Sequence, residues 1–201
     1  GEVVSEPVVF TTEANDEVIE YEYVDLGLPS GVKWAMHNVG TTYPEGHGDY
    51  FAWGEIEPKA TYESGNCSSN YQDLGDISGN PLYDAAAAKW GNGWRMPTLE
   101  EMYELTQECT WTWVEDNGIV GYKVTSMTNG NHIFLPAAGF RVNDQLLDKD
   151  FFGYYWMSTP YEEEGAEPTL NKACFLDMCS YQFYCNWSLR RNGMTIRPVK
   201  D

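Results

Sequence analysis

Gly153-Tyr154-Tyr155-Trp156-Met157-Ser158-Thr159 and Gly193-Met194-Thr195-Ile196-Arg197-Pro198-Val199 bracket the C-terminal part of the chain, and both read as patterned β-structure. Between them, Cys174 to Arg191 is thick with Tyr, Phe, Trp, Asn, Cys and Arg and shows no clean period. The expectation is an irregular aromatic insert held in an ordered frame. A rigid scaffold carrying a loop-rich patch suits recognition, because the frame stays put while surface side chains vary. The reading therefore turns toward binding instead of chemistry.

Outward from this frame, the segment Cys109 to Pro136 is also β-like. Thr110-Trp111-Thr112-Trp113-Val114 alternates, Asn117-Gly118 is a hairpin signal, and Gly121-Tyr122-Lys123-Val124-Thr125 returns. Asn129-Gly130 is a second such signal ahead of Ile133-Phe134-Leu135-Pro136. Upstream, two short helices are predicted. Asp84-Ala85-Ala86-Ala87-Ala88-Lys89-Trp90 has strong helical propensity and is ended by Gly91 and Gly93. Thr98-Leu99-Glu100-Glu101 is a capping box, with Leu99, Met102 and Leu105 on one helical face. Trp94-Arg95-Met96 then reads as a connector between two helices. Residues 55–80 are polar and turn-rich, a long surface loop. Tyr21 to Ala35 reads as two strands about the Leu26-Gly27-Leu28-Pro29-Ser30-Gly31 turn. The order of elements is α+β, with helices segregated from an antiparallel sheet.

The domain spans 21–201, and 1–20 reads as a linker or the tail of a preceding module, with a short β-like run at Val8-Val9-Phe10-Thr11-Thr12. The chain opens without Met and is read as trimmed; a removed secretion signal or lipid anchor would leave no trace. Its 201 residues suit one domain with a sizeable core. Lys plus Arg number 12 against 31 Asp plus Glu, a net charge of -19. Such a surface repels nucleic acid and anionic membranes, so neither is an expected partner. No membrane insertion of this domain is expected.

Five cysteines, 67, 109, 174, 179 and 185, allow at most two disulfides with one thiol left over. Their spacings fit no zinc template, and no metal or cofactor is expected. Cys174 and Cys179 have Phe175, Leu176, Asp177 and Met178 between them, an apolar and acidic setting that disfavours thiolate. Glu162-Glu163-Glu164 lacks the alternating ligands of a calcium loop and reads as solvated. Tyr154, Tyr155, Trp156, Tyr161, Phe175, Tyr181, Phe183, Tyr184 and Trp187 form an aromatic cluster. Tyr155, Trp156, Ala173, Phe175 and Leu176 read as core. The rest lie among Ser180, Gln182, Asn186 and Ser188, a mixture with the chemistry of antibody paratopes.

Several motifs in order resemble the Fibrobacter succinogenes major paralogous domain family, abundant in gut Bacteroidetes. They are Tyr23-Val24-Asp25-Leu26-Gly27-Leu28-Pro29-Ser30-Gly31, Gly48-Asp49-Tyr50-Phe51-Ala52-Trp53-Gly54-Glu55, the run from Trp90 to Glu101, Phe134 to Arg141, and Ile196-Arg197-Pro198-Val199. The resemblance covers about residues 21–200. It implies a C-type-lectin-like fold in which the first and last strands pair, two helices flank the sheet and a C-terminal loop region carries the binding face. It also implies kinship with the variable proteins of diversity-generating retroelements, whose diversified stretch matches 157–191. The calcium motifs of lectins are missing, because Asn186 precedes Trp187 instead of following it. The formylglycine-generating enzymes share that fold and the Cys-x-x-x-x-Cys spacing.

These readings combine into one expectation: a secreted or cell-surface-anchored, adhesin-like module that binds an extracellular protein or glycan without catalysis. Its binding face is expected at Tyr161, Asp177, Tyr181, Phe183, Tyr184, Trp187 and Arg190. A cysteine-dependent oxidase or a structural part of a surface assembly are the alternatives.

Overall fold

The computed structural model describes residues 20–163, 165 and 169–201. The β-like run at 8–12 and all but the last residue of the 1–20 segment lie outside them. Among the described residues, antiparallel sheets dominate and two helices accompany them, the α+β class.

Strands β1 (Tyr23–Asp25) and β2 (Lys33–Ala35) pair about the Leu26–Gly31 turn. Helix α1 (Ala85–Trp90) is capped by Asp84, whose Oδ1 accepts from the Ala87 amide at 3.0 Å, and it ends at Gly91 with φ 58°. Only a residue free of Cβ crowding takes that backbone cheaply. Asp84 also ties down the next turn. Its Oδ2 accepts from the Gly79 and Met96 amides, both at 2.8 Å.

Strand β3 (Trp94–Arg95) corrects the connector reading of this stretch. It pairs with β12 (Val199–Lys200), which in turn pairs with β2, so the sheet order is β1-β2-β12-β3. The last strand thus neighbours the second and third strands, not the first. Sequence alternation is too short to register in a two-residue strand, and only the long-range pairing creates it. Helix α2 (Leu99–Glu108) carries the capping box as read. The Glu101 amide donates to Thr98 Oγ1 at 3.2 Å and the Thr98 amide to Glu101 Oε2 at 2.9 Å.

Strands β4 (Cys109–Asp116), β5 (Ile119–Ser126) and β6 (His132–Pro136) form a meander. Asn117 and Gly118 both take positive φ, 48° and 81°, the two-residue hairpin turn that Asn-Gly encodes. A small ribbon follows, β7 (Phe140–Val142) with β8 (Gln145–Leu147). The third sheet is β9 (Phe152–Pro160), β10 (Lys172–Cys179) and β11 (Gln182–Leu189), in the order β11-β10-β9. The expected irregular insert is therefore corrected: most of it is a regular antiparallel hairpin, turned by Ser180 and Tyr181, with Cys179 opposite Gln182.

This hairpin sheet is apolar on both sides. On one side Cys174, Leu176, Met178, Tyr155 and Met157 pack with Met102 and Leu105 of α2, and with Tyr122 and Val124 of β5. On the other, Ala173, Phe175 and Trp156 pack with Phe51, Trp53, Trp94 and Met96. Each fully buried Leu or Met in these clusters contributes about 2 kcal/mol relative to its exposed state. Arg197, fully buried, ties the C-terminal segment to the end of β2, the stretch after it and β6. Its Nε donates to Asn38 Oδ1 at 2.8 Å, and its terminal nitrogens donate to the carbonyls of Ala35, Met36 and Phe134.

Candidate functional site

A groove of about 460 Å³ opens between the start of α2, the Gly75–Asp76 turn, the end of β9 and the part of the hairpin away from its tip. Its apolar wall combines Leu99 and Tyr103 from α2 with Tyr161 and Trp187. Leu99 and Tyr103 stand four residues apart and so share a helical face. The Tyr161 and Trp187 rings lie 5.2 Å apart between centroids, tilted by 33°. Lys172 fixes them: its Nζ sits 3.6 Å from the Trp187 ring centroid and 5.5 Å from that of Tyr161. A cation over an indole face is attracted by the ring quadrupole, worth roughly 0.5–2 kcal/mol.

The polar part of the lining is tied together by hydrogen bonds. The Leu99 amide donates to Thr159 Oγ1 at 3.0 Å, and Thr159 Oγ1 donates to Asp76 Oδ2 at 2.8 Å. This relay joins the start of α2, the end of β9 and the 75–76 turn. Each groove wall thereby gains a fixed position. Glu162 and Asn186 complete the polar lining.

Two thiols, Cys174 and Cys185, also face the groove. Burial pushes the Cys174 thiol up to about 11, aided by Glu100 and Asp76. Burial likewise pushes Cys185 up to about 12, aided by Cys174. Both are neutral thiols at physiological pH. The Cys-x-x-x-x-Cys pair is taken apart by the strand itself. Five residues of extended chain place Cys174 and Cys179 on opposite faces of β10, about 17 Å apart. All five cysteines are free. A two-cysteine oxidase site is not assembled from 174 and 179.

The seven residues expected on one face divide into groups. Tyr161 and Trp187 meet at the groove, with Trp187 41% exposed. Phe183 lies on the same side but is half-buried, stacked on Trp111 at 4.3 Å and edge-on to Tyr122. Asp177 and Tyr184 stand opposite each other on the reverse side of the hairpin. Tyr181 sits exposed at the hairpin tip. Arg190 corrects the expectation most sharply. It is 1% exposed, with its guanidinium 4.1 Å from the Trp53 ring. Its Nε donates to the Lys172 carbonyl at 3.2 Å, and one terminal nitrogen donates to the carbonyls of Ser69 at 3.1 Å and Gln72 at 2.7 Å. It clamps the loop that leads to Gly75 and Asp76, beneath the groove instead of on it.

Asp76, Thr159 and Tyr103 line the groove and Lys172 holds two of its rings, and none of the four was anticipated. Tyr103 alone left a trace: an exposed aromatic beside the buried Met102–Leu105 stripe of α2. The others are brought in by long-range packing.

Compared with protein-family models, with characterised proteins and with solved structures, the chain finds no match. Among the described residues no helix is long and apolar enough to cross a membrane.

Proposed function

We propose that this chain is an extracellular ligand-binding module, adhesin-like and without chemistry of its own, and that the groove at Trp187 and Tyr161 holds its protein or glycan ligand. One observation carries the reading. Trp187 is a large aromatic left substantially exposed, yet pinned by Lys172 and Tyr161 at the lip of the groove. An immobilised indole offers contact area with little entropy left to lose on binding, which is how recognition surfaces use Trp and Tyr. Protonated thiols and the separation of Cys174 from Cys179 weigh against the oxidase alternative. A C-type-lectin-like scaffold, secreted or surface-anchored, is the finer form of this proposal. It is supported by the motif resemblance and by two helices beside antiparallel sheets, one of which holds both the first and the last strand of the described residues.

The test is a screen of the purified domain against glycan and extracellular-protein arrays, followed by Trp187→Ala and Tyr161→Ala. The expected result is a hit weakened at least ten-fold by either substitution, about 1.4 kcal/mol. A hit that neither substitution touches would move the site elsewhere and remove the basis for the groove reading.

A further inference from the structure

The reverse side of the hairpin sheet, buried at Ala173, Phe175 and Trp156, is only partly covered toward the hairpin tip, away from the groove. Strand register sets Asp177 between Tyr154 of β9 and Tyr184 of β11. Tyr154 stacks on Phe152 with centroids 5.8 Å apart and planes 7° from parallel. It also meets Phe140 edge-on at 4.8 Å, and Phe140 pairs in register with Leu147 on β8. The Tyr154 hydroxyl donates to Asp148 Oδ2 at 3.2 Å. A continuous strip therefore runs from Leu147 through Tyr154 and Asp177 to Tyr184. Leu147 and Tyr184 are exposed large side chains, as is Phe151, which immediately precedes β9.

Two carboxylates lie in this strip, flanking one aromatic ring. Burial raises the Asp177 carboxyl above its ordinary value, and Asp148 adds to the rise; the Tyr184 and Asn186 side chains that face it pull the other way. Among the described residues no Lys or Arg pairs with Asp148 or Asp177. A partly buried carboxylate, Asp177, and an exposed one, Asp148, beside exposed apolar rings favour an incoming cation on an apolar stem. A second copy of this chain fits badly, because two molecules of charge -19 repel. Nucleic acids and acidic glycans are repelled for the same reason. A guanidinium or ammonium satisfies the carboxylates and is attracted to a tyrosine face at once.

We propose that this strip docks a segment of a partner protein presenting an arginine or lysine between apolar residues. The cation sits between Asp148 and Asp177 over Tyr154, and the apolar neighbours cover Leu147, Phe151 and Tyr184.

The experiment selects phage-displayed random heptapeptides on the immobilised chain. The enriched peptide is then synthesised, and its affinity is measured by fluorescence anisotropy for the wild type and for D148N, D177N, Y184A and W187A. Asp148 has φ 58°, a conformation asparagine tolerates well, so D148N keeps the fold even if another variant does not. The expected consensus is a basic residue flanked by apolar ones. Its Kd weakens at least ten-fold in D148N and D177N, weakens with added salt, and is unchanged in W187A. The proposal is overturned if no peptide is enriched, or if the enriched peptides lack a basic residue. It is equally overturned if D148N binds as tightly as wild type, or if binding is lost in W187A, which would assign the peptide to the groove.

Discussion

Arg190 has no carboxylate within ion-pair distance among the described residues; main-chain carbonyls and an indole ring surround it instead. Burial pushes its guanidinium down to about 10, still protonated at physiological pH. Arg190→Met would fill similar space but leave the carbonyls of Lys172, Ser69 and Gln72 without their donor. Urea unfolding should show a loss of about 3 kcal/mol, and a change under about 0.5 kcal/mol would refute the clamp role. The groove thiols make a pH-dependent prediction. A raised thiol pKa means that thiolate forms only as pH climbs, toward about 11 for Cys174. Iodoacetamide at neutral pH should therefore label Cys174 more than about 100-fold and Cys185 more than about 1000-fold more slowly than free cysteine, and both faster as pH rises. Rapid, selective labelling at neutral pH would restore the cysteine-enzyme reading.

At the scale of elements, the hairpin Lys172–Leu189 explains why its own sequence looked irregular. A half-buried strand advertises itself by alternating apolar and polar residues. Here both faces take aromatics: Phe183 and Trp187 on the groove side, Phe175 and Tyr184 on the other. With aromatic demand on both sides the period of two disappears, although the strands are regular. Helix α2 was legible for the opposite reason, since its cap is a local hydrogen-bonding device. Thr98→Ala should lower stability by about 1 kcal/mol in thermal or urea unfolding. Because Leu99 and Tyr103 wall the groove from that helix, ligand affinity should fall with it. Unchanged stability would show that packing alone holds the first turn.

At the scale of the whole molecule, a charge of -19 on 201 residues opposes the compact state by self-repulsion. Salt screens that repulsion over a Debye length of about 10 Å at 0.1 M. Raising NaCl from about 50 to 500 mM should lift the Tm by about 3 °C; a flat or falling Tm would mean that the acidic groups are locally compensated. The sequence by itself determined the acidic character and the α+β class. It also determined the Asn117-Gly118 turn, both helix starts and the aromatic wealth of the C-terminal region. Each of these depends on composition or on residues a few positions apart. Only the tertiary structure decided which way each aromatic faces, and so divided one expected surface into a groove side and a reverse side. It drew Arg190 inward to hold a loop more than a hundred residues away in sequence, and it recruited Lys172, Asp76 and Thr159. The physical reason is that strand register, burial and the pairing of polar groups are set by partners remote in the chain, and a one-residue difference in register reverses the face a side chain occupies.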